Sequence, residues 1–119
     1  MITNTLDLKM TPGGIAPFLR VSQNETVART VEFHFYDGDT EYPLPSGARV
    51  TLHGRRPDGV GFSTPCSIVG SKLLVIITSD MTACAGKVEC EIEVVSGQTR
   101  VSTENFYLLV ERAAYRSTT

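Results

Sequence analysis

Apolar and acidic side chains alternate without interruption near the end of the chain. Four apolar residues are separated by three glutamates in the run Val88, Glu89, Cys90, Glu91, Ile92, Glu93 and Val94. A period of two is typical of a β-strand with one face buried and the other in water. This segment therefore predicts a core strand, and it constrains the fold more than any other part of the sequence.

A single helical turn is predicted just before this strand, from Ser79 to Ala83. Thr78 or Ser79 can cap its first turn, because Ser and Thr side chains accept hydrogen bonds from free backbone N–H groups. Gly86 then allows the backbone to reverse. The expected order is strand, helical turn, tight turn, strand.

Alternation elsewhere predicts further short strands separated by turn residues. They cover residues 4–9, 18–21, 28–36, 48–56, 62–69, 72–78 and 99–111. The apolar parity changes within the last strand, so one extra residue near Thr103-Glu104-Asn105 predicts a bulge. Residues 72–78 are apolar on both faces, and both faces are expected to be covered.

Many short strands with almost no helical periodicity predict an all-β fold. We expect an antiparallel β-sandwich with an immunoglobulin-like topology, about seven to eight strands and the one helical turn. A small barrel is the alternative, because alternation does not distinguish a closed sheet from two packed sheets. The 119 residues suit a single domain, with a core at about 4–112 and a frayed tail at 116–119.

The composition gives no sign of nucleic-acid or membrane partners. Eleven Lys and Arg against 13 Asp and Glu give a net charge of −2, which provides no long-range attraction for either. The chain shows neither a signal peptide nor an apolar run long enough to cross a bilayer, so we expect synthesis and folding in the cytoplasm. The three cysteines match no zinc or redox motif and are expected to be reduced thiols.

Catalytic and metal-binding patterns are not found. The two histidines, His34 and His53, lie on the outward parity of their strands, and the three glutamates form a solvated row suited to cross-strand pairing with Arg or Lys. No GxSxG motif or phosphate-binding loop occurs. We therefore predict a protein that is not an enzyme and that uses no metal or cofactor.

The feature with most functional promise is apolar surface on the parity opposite to the core. The candidate protein-interface residues are Phe18, Tyr36, Leu74, Ile76, Tyr107 and Leu109. An exposed patch of this kind marks a subunit contact. The competing interpretation is that a bulge shifts the parity, or that the loop over residues 38–47 covers these side chains.

The sequence resembles a known family in six segments that occur in order along the chain. They are TLDL at 5–8, ARTVEFHF at 28–35, YPLPSGARV at 42–50, RRPDG at 55–59, TSDMTACAGKVECEI at 78–92 and NFYLLVE at 105–111. The family is the N-terminal domain of the baseplate upper protein of siphovirus-type phages. The order and spacing of the segments carry this resemblance.

The resemblance implies an immunoglobulin-like structural module of a phage or prophage tail tip or baseplate. Its expected partners are the distal tail protein and copies of itself, and its expected location is the virion tail, as part of an oligomeric particle. No receptor-binding-protein dock is seen in the chain. A carbohydrate- or receptor-binding β-sandwich is the alternative function, although a chain with no Trp and four Tyr offers few aromatic side chains for it.

Overall fold

The computed structural model describes residues 1–70 and 72–114. Within them, eleven strands and one helical turn follow one another along the chain. They are β1 (Ile2–Lys9), β2 (Phe18–Ser22), β3 (Arg29–Asp37), β4 (Thr40–Glu41), β5 (Arg49–Arg55), β6 (Gly61–Pro65), β7 (Ser67–Val69), β8 (Lys72–Ile76), α1 (Ser79–Thr82), β9 (Gly86–Ser96), β10 (Thr99–Ser102) and β11 (Phe106–Glu111). The predicted frayed tail at 116–119 lies outside the described residues.

The strands form two sheets that pack face to face. The five-stranded sheet has the order β1-β3-β8-β7, with β4 beside β3, and the six-stranded sheet has the order β2-β11-β9-β5-β6, with β10 beside β9. The orders β1-β3-β8-β7 and β11-β9-β5 correspond to the ABED and GFC sheets of immunoglobulin domains, with β6 in the place of an added C′ strand and β2 as a further edge strand beside β11. The predicted β-sandwich is confirmed.

Two strand pairings differ from the antiparallel arrangement that we expected. β1 runs parallel to β3, and β2 runs parallel to β11. Between β1 and β2 lies a loop in which Gly13 and Gly14 both have positive φ, a conformation that glycine adopts without steric cost. This loop carries the chain from one sheet to the other.

The strand count is also higher than the seven to eight expected. The predicted strand at 62–69 is divided into β6 and β7, and the short β4 arises in a segment predicted to be a loop. The predicted strand at 99–111 is divided by its bulge. On β9, Glu93 pairs with Ser102 and Cys90 pairs with Phe106, so three residues on one strand face two on the other. The predicted extra residue is confirmed.

The core lies between the inward faces of the two sheets. All four apolar residues of the opening pattern, Val88, Cys90, Ile92 and Val94, are buried. Across the sandwich, the rings of Phe33 and Phe106 meet with centroids 5.3 Å apart and planes tilted by 57°. Such tilted contacts are favourable for aromatic pairs and join the two sheets at the centre.

The helical turn forms where it was predicted, but its anchoring differs. Thr78 occupies the N-cap position without making a side-chain cap hydrogen bond. Instead, the Thr82 hydroxyl donates to the Glu25 carbonyl at 2.7 Å, and the Asn24 N–H donates to the Thr82 carbonyl at 3.1 Å. The turn is therefore held by the connection between β2 and β3, while Met81 fills the core beneath it.

Candidate protein interface

The outward face of the six-stranded sheet carries an apolar patch crossed by two cations. Tyr107 on β11 lies opposite Phe18 on β2, and Leu109 lies opposite Arg20 on β2 and Lys87 on β9. Phe18 is 50% exposed. We call these five residues the aromatic patch.

The two cations of the aromatic patch lie over its rings. The Lys87 Nζ is 4.5 Å from the Tyr107 ring centroid, and the Arg20 Cζ is 5.6 Å from that of Phe18. Both distances fit cation–π contacts, which are worth about 0.5–1 kcal/mol at exposed sites. Each cation therefore lies over one ring, so the patch combines apolar surface with two positive charges.

The outward face of the five-stranded sheet carries a second, smaller patch. Ile76 on β8 is 45% exposed and Val69 on β7 is 56% exposed, whereas Leu74 between them is half-buried. Lys72 beside them pairs with Glu32 at 3.6 Å. We call Val69, Leu74 and Ile76 the aliphatic patch. The expectation that both faces of this strand are covered is wrong, because nothing in the described part of the chain lies over Ile76 closely enough to bury it.

The six candidate residues therefore do not form one surface. Phe18, Tyr107 and Leu109 belong to the aromatic patch, and Leu74 and Ile76 belong to the aliphatic patch on the opposite side of the sandwich. Tyr36 lies at the far end of β3, where it lines a cleft of about 360 Å³. The sheet to which each strand belongs decides this division, and parity along one strand carries no information about it.

The loop over residues 38–47 does not provide the alternative cover. Its apolar side chains Tyr42 and Leu44 pack against the core, and the Tyr42 N–H donates to the Phe35 carbonyl at 2.8 Å. The loop closes one end of the sandwich, and both outward faces keep their exposed apolar residues.

The row of glutamates lies on the outward face of the six-stranded sheet, where Glu93 pairs with side chains of neighbouring strands. Glu93 receives hydrogen bonds from Arg100 and from His53, and these interactions, that of Arg100 first, lower the pKa of its carboxyl. The other histidine, His34, contacts Glu32 at 2.6 Å on the opposite sheet. Among residues 1–70 and 72–114, no group of three or more His, Cys, Asp and Glu side chains is placed to hold a metal ion.

A buried acid that the sequence did not single out lies in the bulge. Glu104 is 6% exposed, and its carboxylate accepts a hydrogen bond from the Lys9 N–H at 2.7 Å. Its own N–H donates to the Lys9 carbonyl at 2.8 Å. Glu104, which lies between two strands of the six-stranded sheet, therefore binds both backbone groups at the end of β1 in the other sheet. The parity change predicted the bulge, but no local pattern indicated that the bulge joins the two sheets.

Comparison with known proteins decides the family. The model of the BppU N-terminal domain, the first domain of the phage baseplate upper protein, matches residues 2–119. The chain belongs to the BppU N-terminal domain family. This BppU domain is accordingly a structural module of the phage tail or baseplate.

A solved structure supports the fold independently. The BppU domain is similar to the N-terminal domain of phage TP901-1 ORF48, with a TM-score of 0.71 and 12% sequence identity over 93% of this chain and 99% of that one. No curated protein matches the sequence. In the described part of the BppU domain, no helix is long and apolar enough to cross a membrane.

Proposed function

We propose that this domain is a non-enzymatic assembly module of a phage or prophage tail tip or baseplate, and that it binds the distal tail protein and neighbouring copies of itself. The observation that carries the proposal is the family match over residues 2–119. A structural role in a particle requires recognition surfaces rather than a catalytic site, and the two patches supply such surfaces.

The position of the patches supports a domain held between neighbours. The aromatic and aliphatic patches point away from each other, because they lie on the outward faces of two packed sheets. A subunit in a closed ring uses two different surfaces for its two neighbours, whereas a simple two-fold dimer uses one. Two separate apolar faces therefore fit a packed assembly better than a single pairwise contact.

The test is binding to the distal tail protein of the same particle, followed by solution mass and calorimetry. Phe18→Thr and Ile76→Thr each remove an exposed apolar side chain while keeping a residue that favours strands. We expect the variant in the contacting patch to lose about ten-fold in affinity, or about 1.4 kcal/mol, which is typical of one buried apolar side chain.

Val60→Thr is the matched control, because Val60 is 49% exposed but lies in the turn between β5 and β6, away from both patches. It should leave binding unchanged. If the wild-type domain does not bind the distal tail protein at all, the proposed partner is wrong. If both patch variants bind as the wild type does, the contact lies on another surface.

The carbohydrate-binding alternative has less support. A sugar platform requires free aromatic ring faces, whereas Lys87 and Arg20 already lie over the rings of Tyr107 and Phe18. Tyr42, a further aromatic side chain on which a platform would draw, is partly buried against the core.

A further inference from the structure

β1 is the longest edge strand of the two sheets. It has eight residues, whereas the other edge strands β2, β4, β6, β7 and β10 have two to five. Edge strands present unpaired N–H and C=O groups. Proteins usually protect these groups from pairing by placing Pro or Lys in the edge strand or by keeping it short. The stretch from Thr3 to Asp7 contains neither Pro nor Lys. It is therefore an open template for another strand.

The hydrogen bonds at its two ends show which backbone groups are open. The Ile2 N–H donates to the Ala28 carbonyl at 3.0 Å, and the Met10 N–H donates to the Tyr36 carbonyl at 2.9 Å. The backbone N–H and C=O groups of successive strand residues point to alternate neighbouring strands. Those of the even-numbered residues of β1 therefore face β3, and those of the odd-numbered residues face away from it. Thr3, Thr5 and Asp7 thus direct both backbone groups to the side where the described chain places no strand.

Glu104 sets the end of this open stretch. It occupies both backbone groups of Lys9, the next outward-facing residue, with its carboxylate and its own N–H. An added strand can therefore pair as far as Asp7 and no further. The open run of three outward residues is centred on Thr5.

We infer that two copies of this domain join through β1, antiparallel about a two-fold axis at Thr5. In this register Thr5 lies opposite Thr5 of the second copy, Thr3 lies opposite Asp7 of the second copy, and each pair exchanges two hydrogen bonds. The two five-stranded sheets then form one continuous sheet. This inference rests on the proposed function, because it adds a β1 contact between copies to the contacts that the two patches provide.

The open run from Thr3 to Asp7 is symmetric about Thr5, so in an antiparallel pairing a second copy of β1 presents an open residue to each open residue. Shifting the second strand by two residues in one direction would place Thr3 opposite Lys9, whose backbone groups already bind Glu104. Shifting it by two residues in the other direction would leave Asp7 beyond β1 of the second copy. The central register uses every open residue and sets no like charges opposite each other.

Single cysteine substitutions test this register. In the inferred dimer, Thr5→Cys places two thiols with Cα atoms about 5.5 Å apart, within disulfide range. Thr3→Cys places them roughly 13 Å apart, out of range, because four residues of strand separate them. Under mild oxidation we expect covalent dimer from Thr5→Cys, none from Thr3→Cys alone, and dimer again when Thr3→Cys is mixed with Asp7→Cys.

The wild-type chain controls for the native thiols. Burial raises the pKa of Cys90 to about 12 and that of Cys66 to about 11, and the hydrogen bond with Asp58 raises the pKa of the third thiol, Cys84, so all three stay largely protonated during oxidation. Equal cross-linking at Thr3 and Thr5, or no cross-linking at Thr5, would overturn the inferred register.

A proline pair provides a second measurement. Thr5→Pro removes an outward N–H without removing a bond to β3, and it should abolish association in a concentration series followed by small-angle scattering. Ser22→Pro is the control on β2, because Ser22 lies outside both patches. The Tyr107 N–H donates to Pro17 and the Gln23 N–H donates to Glu111, so the even-numbered residues of β2, Ser22 among them, also face outward. Ser22→Pro should leave the association unchanged, and thermal melts establish that both variants fold.

The outcome separates this inference from the proposed function. A domain that binds the distal tail protein but shows no Thr5 cross-link refutes the β1 contact and leaves the proposed function standing. A domain that forms the Thr5 cross-link but does not bind the distal tail protein supports the β1 contact and contradicts the proposed partner.

Discussion

Gly54 on β5 is a site where one added methyl group should destabilise the sandwich. It pairs directly with Phe62 on β6, and the Phe62 ring lies over it. A Cβ at this position would meet the ring tip, and two further ring atoms would be 2.7 Å away. Ordinary carbon–carbon contacts are about 3.5–4.0 Å, so Gly54→Ala must displace the ring.

The expected magnitudes come from these contacts. Overpacking a site of this kind costs about 1–3 kcal/mol. The backbone at Gly54 lies outside the left-handed region, so alanine recovers about 0.5–1 kcal/mol by restricting the unfolded chain. We expect a net loss of about 1–2 kcal/mol for Gly54→Ala. Phe62→Ala removes a half-buried ring and should cost about 2 kcal/mol, roughly half the value for a fully buried phenylalanine.

The double variant tests whether contact with the Phe62 ring causes the loss of stability. Once the ring is gone, the alanine methyl group has room, and Gly54→Ala should become neutral or stabilise by about 0.5 kcal/mol. The two substitutions should therefore show a coupling of about 2 kcal/mol, within the range for residues in contact. Urea unfolding measures each free energy, and thermal melts should move by about 3–5 °C per kcal/mol for a chain of this length. Strictly additive losses would refute the explanation by ring contact.

Three further outcomes are expected. Phe106→Ala should cost about 3–5 kcal/mol in urea unfolding, because Phe106 is fully buried between the sheets. Hydrogen bonds from Arg29 lower the pKa of Glu25 below its ordinary 4.5, so the stabilisation is complete above the unfolded pKa and is lost as the pH falls through the lowered folded value. The gap in stability between wild type and Glu25→Gln should therefore close in acid, as followed by thermal melts. Thiol labelling of the folded protein should modify Cys84, which is partly exposed, before Cys90, which is 1% exposed.

The local features of the fold could be predicted from the sequence. The alternation from Val88 to Val94 places the core face of β9 correctly, and the change of parity near Thr103 correctly indicates one extra residue. Both signals depend only on neighbours within a few positions. The turn at Ser79 was likewise predicted from local residues, although its anchor at Glu25 lies far away in the sequence.

The remaining features are nonlocal. Alternation shows which face of a strand is buried but carries no information on the direction of its neighbour, so the parallel pairing of β1 with β3 was missed. The division of the candidate residues between two faces depends on which sheet holds β8 and which holds β11. The contact of Gly54 with Phe62 depends on the register between two strands, and neither residue signals it alone.

The two hydrogen bonds between Glu104 and Lys9 have a consequence for the order in which the domain forms. They join two residues that are 95 positions apart in the chain. Bringing such distant segments together costs loop-closure entropy before any contact compensates for it, and folds rich in long-range contacts form slowly. During synthesis, the hydrogen bonds at Lys9 cannot form until Glu104 has emerged from the ribosome. Until then a nascent chain leaves the outward edge of β1 open as far as Lys9, and this edge is most prone to pair with the wrong partner in that interval.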